Sequence, residues 1–298
     1  MACQTTNIAY HYTSIDILLK LLDGIKDDHF VFHGSYILNM NDPTEFKYGF
    51  KQIIEILPKI EDELLVENKD RLSRVWNDDD IREMHLQMMC KTFRLPFVVC
   101  FSNNRDYLPQ WGMYGDKGRG VSLGFDIQDY YRIIRLGSNV FLDMTNNDEI
   151  KLRAIRVSYK HISNRHSFVT AIKLFYKKYL TQISDIEDEK TKCNLKLDTL
   201  SLIAYFLSSL IKHKAYSYEA ESRVLYPCLS SSDVMFKMNS RGQLTPYIDV
   251  GIEKKRLKKI IVGPCCDYDS TKLMLEAKLN QIGLNHIKIL RSEIPYRL

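Results

Sequence analysis

The segment AYSYEAESRVLYP (residues 215–227) places Glu219, Glu221 and Arg223 at alternate positions. At a strand period of two they share one face, opposite Ala220, Ser222 and Val224. Two like charges on one strand face repel, so Arg223 or the nearby Lys212 and Lys214 must offset them. The face is therefore either a solvated strand surface or a cleft in which one carboxylate does chemistry and its neighbours tune it. Three further stretches put costly residue types at strand ends or in loops: YHYTS (10–14), NMNDPTEF (39–46) and CFSNNRDYLPQWGMYGDKGRGVSLGFD (100–126). Each has a plain structural reading. His11 suits a hydrogen-bonded strand histidine, Trp111 and Tyr114 are spaced for core packing on a helical turn, and Asn41-Asp42-Pro43 suits an Asx turn.

Composition narrows the classes. The chain of 298 residues has 45% apolar and 27% charged residues, as expected of a soluble globular protein. A net charge of +5 permits an acidic partner without demanding one. The seven cysteines are scattered, with no CxxC pair, which points to free thiols in a reducing cytoplasm. The N-terminus lacks the pattern of a secretory signal, and apolar runs such as LIAYFLSSLI are too short to span a bilayer. A cytoplasmic protein with no membrane contact is expected. No metal is expected either, because His29 and His33 flank a strand-like FVF without the glutamate of a zinc helix. GDKGRG lacks the spacing of a phosphate-cradling loop, and no GxSxG nucleophile elbow occurs.

The elements that must position these residues are legible in outline. NIAYHYTS reads as a strand ending at Ser14, the N-cap of a helix IDILLKLLDG that Gly24 closes. HFVFHGSY, LPFVVCFS, GVSLGFDI and AIRVSY read as strands, as do LTPYIDV, KKIIVGP and IKILRSEI. STKLMLEAKLNQIG is a helix between the last two. Charged helical patterns occupy about 50–94, including WNDDDIREMHLQMM, and about 165–214. Strands and helices do not alternate regularly, so the expected class is α+β. The expectation is one domain over 1–298, with helical insertions around 50–94 and 165–214.

The order YHYTS…NDPTEF…CFS…QWGMYG…GVSLGFD…YEAESRVLYP…IIVGP resembles a widespread bacterial family catalogued as DUF 2971. That family is in turn similar to the His-Tyr-Glu branch of the ADP-ribosyltransferase superfamily, whose members often occur in phage-defence and toxin–antitoxin loci. The resemblance implies a split β-sheet core with NAD bound in its cleft as co-substrate. It implies catalytic roles for His11, Tyr114 and Glu221, with Glu219 as the upstream member of an ExE-like pair. The branch's usual His-Gly-Ser is here His11-Tyr12-Thr13, while His33-Gly34-Ser35 falls on the second strand, which makes His33 the alternative ribose-side histidine.

The chemistry fits those residues. Loss of nicotinamide builds positive charge at the sugar carbon, which a carboxylate such as Glu221 stabilises. His11 and Thr13 would donate to the other ribose, beside Tyr12 and Ser102. Tyr114 or Trp111 would stack on nicotinamide. Arg105, Lys117 or Arg119 would face the pyrophosphate, and Arg223 would orient the glutamates. The acceptor favoured is RNA or single-stranded DNA over protein. Lys254, Lys255, Arg256, Lys258 and Lys259 supply positive charge for it, and Tyr107, Trp111 and Tyr114 stand among basic residues. An unregulated enzyme of this kind would harm its host, so the resemblance also implies an antitoxin protein. An NAD glycohydrolase and a non-enzymatic nucleic-acid-binding module are the alternatives.

Overall fold

The computed structural model describes residues 8–42, 44–74, 95–127, 132–135, 149–152, 154–184, 186–226, 231–239 and 242–296. Pro43 and the expected helix WNDDDIREMHLQMM lie outside the described residues. The chain opens with β1 (Ile8–Thr13), α1 (Ile15–Asp23) and β2 (His29–Tyr36). The Ser14 hydroxyl accepts the Ile17 N–H at 3.2 Å and Gly24 follows the helix end, as the spacing predicts. Then come α2 (Glu45–Glu63), β3 (Phe97–Ser102), a short α3 (Leu108–Met113) and β4 (Val121–Asp126). β5 (Arg132–Arg135) pairs with β6 (Glu149–Leu152) apart from the main sheet. β7 (Ala154–Arg156), α4 (His166–Ser184), α5 (Glu189–Ser208) and β8 (Glu221–Tyr226) follow. The chain continues through β9 (Met235–Met238), β10 (Leu244–Glu253), β11 (Leu257–Val262), α6 (Tyr268–Gln281) and β12 (Lys288–Arg291).

The main sheet runs β12-β11-β4-β1-β3-β2-β10-β9, with β8 pairing to β3 and β7 pairing to β8. Its pairings are antiparallel except β11 with β12. This large, open and mostly antiparallel sheet with separate helices is a mixed α+β fold.

β3 is the pivot of the sheet. β8 pairs along its whole length, from Phe97↔Tyr226 to Ser102↔Glu221. On the other edge, among the described residues, β1 meets β3 at Tyr10↔Ser102 and β2 meets it at Ser35↔Val98 and Tyr36↔Phe97. Val99, Cys100 and Phe101 have no ladder partner on that edge, so β1 and β2 diverge and leave an opening in the sheet.

The helical stretches form a layer of their own. Ile53, Leu57 and Ile60 of α2, Ile172 and Tyr176 of α4, and Leu195 and Leu207 of α5 are buried in one core with Val99 and Val250 of the sheet. Within it the Glu61 carboxylate accepts from the Tyr176 hydroxyl at 2.7 Å and from the Ser73 N–H at 2.8 Å, satisfying a buried charge. Gly49 sets the approach of α2 to α5, since a Cβ there would lie 2.6 Å from the Ser208 carbonyl oxygen and 2.8 Å from its Cα. Gly49→Ala must force the helices apart. It is expected to cost about 1–3 kcal/mol, read as a lower urea midpoint at an unchanged slope. An unchanged midpoint would show that the crossing is loosely packed.

Candidate active site

The opening between β1 and β2 leads into a cavity of about 730 Å³, within the roughly 300–1,000 Å³ typical of small-molecule and cofactor sites. Val99, Cys100 and Phe101, the residues that β1 and β2 leave unpaired, line it. His11 bridges the gap, its Nδ1 lying 3.0 Å from the Cys100 carbonyl oxygen. A carbonyl only accepts, so Nδ1 carries the proton and Nε2 is an acceptor. Burial holds the His11 pKa below the usual imidazole value, against the carbonyl bond that raises it. The ring is neutral, packed edge-on against Phe32 and Phe101. Its free nitrogen is therefore an acceptor, where the sequence reading has the ring donate.

Beside this gap lies a buried cluster of five ionisable groups. Glu45 and Arg223 are 0% exposed, Lys212 and Glu219 3%, and Glu221 6%. Arg223 donates to Glu221 through Nε (2.8 Å to Oε1) and Nη2 (2.9 Å to Oε2), a bidentate grip within one strand. Its Nη1 donates to Glu45 of α2 and, at 2.6 Å, to the Ser209 carbonyl. Lys212 donates to Glu219 and to Glu221 Oε2 at 3.3 Å. Its Nζ lies 3.4 Å from Glu45 Oε2, an oxygen with no hydrogen bond. Burial raises the Glu221 pKa, but Arg223 and Lys212 outweigh it and hold the carboxyl at about 2. Formally the cluster holds three carboxylates against two cations.

Glu219 does not share the strand face of Glu221. It ends a 3-10 turn (Lys214–Glu219), and Ala220 between them takes a left-handed conformation (φ 44°), which is rare for a residue with a Cβ. The strand begins only at Glu221. Lys212, in place of strand alternation, brings the two carboxylates together. Tyr114 completes the site from the end of α3. Its hydroxyl donates to Glu219 Oε1 at 3.0 Å and accepts from Asn41 Nδ2 at 2.8 Å. Burial first and Glu219 second raise its pKa, so the phenol stays protonated. The Glu221 N–H is satisfied by the Tyr159 hydroxyl at 2.8 Å.

Of the residues named from the sequence, His11, Tyr12, Ser102, Tyr114, Glu219 and Glu221 line the cavity, and so does His33. Arg223 lies beneath Glu221. Thr13 is buried in the ladder opposite Val121. Trp111 is fully buried, stacked edge-on against Tyr12 with ring centres 4.9 Å apart and donating to Asp106 at 2.6 Å, so it packs the loop and offers no ring to the cavity. Arg105 pairs with Glu293 at 2.7 Å and Arg119 with Asp116 at 3.1 Å, while Lys117 sits in a tight turn with positive φ. None of these three lines the cavity. Lys20, Lys26 and Lys237 do instead. Lys20 pairs with Asp16. Lys26 and Lys237 have no carboxylate partner among the described residues.

Sequence reasoning missed Glu45, Asn41 and Tyr159 as site residues, and took Lys212 only as an offsetting charge. Asn41 and Glu45 sit in the conspicuous stretch NMNDPTEF, which was the available signal; nothing local marks Tyr159. Among the described residues no group of His, Cys, Asp and Glu is arranged to hold a metal ion, and no helix is long and apolar enough to cross a membrane.

Two outcomes follow from this electrostatics. Arg223→Met leaves Glu45 and Glu221 buried without their guanidinium and is expected to cost roughly 3–5 kcal/mol in urea unfolding. A smaller loss than Gly49→Ala gives would show that the cluster is solvated. For pH, the depressed His11 and His33 favour the neutral ring when folded. Their contribution is complete above about pH 6.5 and is lost as pH falls below it. The Glu221 contribution is complete above about pH 4.3 and is lost on the way to pH 2. Stability should therefore fall in two steps on acidification, and His11→Gln should flatten the upper step. An unchanged upper step in that variant contradicts the assignment of His11.

Residues 110–224 match the family model described as Protein of unknown function (DUF2971). No curated protein and no solved structure matches the chain. The matched span carries Tyr114, Lys212, Glu219, Glu221 and Arg223, and stops short of His11, Asn41 and Glu45. The match supports the DUF2971 family for this chain.

Proposed function

We propose that the cavity binds NAD and that the protein transfers ADP-ribose from it to an acceptor. The observation that carries this reading is Glu221, an ionised carboxylate held by two cations at the cavity wall. A carboxylate with a pKa near 2 is no general acid. It suits a fixed acceptor for a sugar hydroxyl and a stabiliser of positive charge developing at the adjacent carbon.

In the reaction the bond between the sugar carbon and nicotinamide breaks, the electron pair leaving with a now neutral nicotinamide. The acceptor's nucleophilic atom bonds to that carbon and gives up its proton, which Glu219 is placed to take. Tyr114, itself held by Asn41, donates to the Glu219 oxygen that Lys212 leaves free. The neutral His11 Nε2 accepts from a ribose hydroxyl, and Lys26 and Lys237 face the pyrophosphate at the rim. A toxin or anti-phage role, and an antitoxin partner, rest on the family resemblance alone.

The test is nicotinamide release from NAD, followed by chromatography, with NAD affinity measured by calorimetry. Glu221→Gln should lower turnover on the order of 10²–10³-fold while NAD still binds. It should also lower stability, because Arg223 loses a carboxylate. Glu45→Gln, which loosens Arg223 from behind without lining the cavity, separates the two effects: it should cost stability and lose less turnover. Equal losses in both variants would make Glu221 structural, and no NAD binding by the parent protein would sink the reading.

A further inference from the structure

A second, open groove of about 450 Å³ adjoins the cavity, and Tyr10 lines both. It is built by register. Ser102, Tyr10, Gly124, Lys259 and Lys288 are successive cross-strand partners on β3, β1, β4, β11 and β12, so their side chains share one face. Gly124 keeps the row open. A Cβ there would lie 2.8 Å from Lys259 Cγ and 3.0 Å from Tyr10 Cε1, so the lysine stem and the phenol ring cross over the bare backbone. A glycine inside a strand leaves room for a close approach, and at Gly124 it is these two side chains that make it.

The groove's asparagine amides are bonded to the Ala220 and Tyr218 carbonyls, while its basic side chains hold no buried partner. Among the described residues the Lys259 ammonium has no carboxylate partner and the Tyr10 hydroxyl no hydrogen bond. Tyr107 presents its ring at the surface. Arg105 is held by an exposed pair with Glu293, the kind that exchanges readily. Asp106, the acidic neighbour, is turned inward, accepting from Trp111, Ser292 and the Glu293 N–H.

The far wall leads to the carboxylates. Asn103 donates through its backbone N–H (2.8 Å) and side chain (2.6 Å) to the carbonyl of Ala220, the residue between Glu219 and Glu221. Ser102 donates to the Glu219 carbonyl at 2.7 Å. An occupant of the groove is thus one wall from the reactive end of the cavity.

We infer that this groove docks a single-stranded nucleic acid as the acceptor, stacking a base on Tyr107 and setting backbone phosphates against Lys259 and Arg105. An exposed aromatic ring, Tyr107, beside two cations is the chemistry that holds unpaired bases. A duplex presents no free base face to Tyr107. The acceptor role rests on the transferase reading; the docking does not.

The experiment is anisotropy of fluorescein-labelled 12-nucleotide single-stranded RNA, the same sequence as DNA, and the duplex, titrated with protein at several salt concentrations. One or both single strands should bind, more tightly than the duplex, and weaken with salt at a log–log slope near −0.7 per phosphate contact. Lys259→Gln should lower that slope by one contact. Tyr107→Ala should weaken binding about 5-fold or more. Both variants should keep the parent melting temperature and the parent affinity for NAD, whose cavity neither residue lines. No single-strand binding, binding that neither variant affects, or equal affinity for duplex would each overturn the docking. Nicotinamide release without strand binding would overturn it and leave the transferase reading standing. Strand binding without NAD cleavage would uphold the docking and remove its acceptor role.

Discussion

One guanidinium organises this molecule. Arg223 has no contact with solvent, and its desolvation is tolerable only because Glu221 grips it twice and Glu45 and the Ser209 carbonyl take its remaining edge. Those partners come from β8, from α2 and from the turn after α5, so the charge ties the helical layer to the central sheet. Such clusters are poor stabilisers compared with an apolar core of the same volume. A fold that keeps five buried ionisable groups against that cost points to what they position.

What they position is a pair of carboxylates at the wall of a break in the sheet. β1 and β2 share one edge of β3 without filling it, and His11 donates to the carbonyl that the ladder leaves open. The same bond sets the tautomer and leaves the other ring nitrogen as an acceptor. Tyr114 and Lys212 reach Glu219 from opposite sides, while Lys212 and Arg223 converge on Glu221. The chain thus makes a neutral ring, a protonated phenol and a carboxylate ionised at neutral pH in one cavity, each by a different mixture of burial and partners.

Much of this was legible because local chemistry speaks for local structure. Ser14 and Gly24 bracket α1, and the apolar runs of β3 and β11 mark buried strands. Glu221 and Arg223 share a face, as alternation demands, and Tyr10, His11 and Tyr12 of YHYTS line the cavity. Glu219 escaped the alternation because a left-handed Ala220 is invisible in a sequence: alanine gives no hint of positive φ. Trp111 illustrates the opposite error. Its spacing to Tyr114 carried the core-packing reading, and its chemistry invited a ligand-stacking one; the buried ring obeys the spacing. Lys212, Glu45 and Asn41 meet only through long-range packing, and the divergence of β1 from β2 is a property of pairings distant in sequence, Tyr10 with Ser102 and Ser35 with Val98. No local pattern encodes such convergence.

The most direct measurement is a crystal structure with a non-cleavable NAD analogue. The account predicts the nicotinamide-side ribose with a hydroxyl within hydrogen-bond reach of Glu221, about 2.6–3.2 Å. It also predicts the nicotinamide ring beside Tyr114 and the pyrophosphate toward Lys26 and Lys237. An analogue bound outside the cavity, or bound in it with its ribose away from Glu221, would contradict the account.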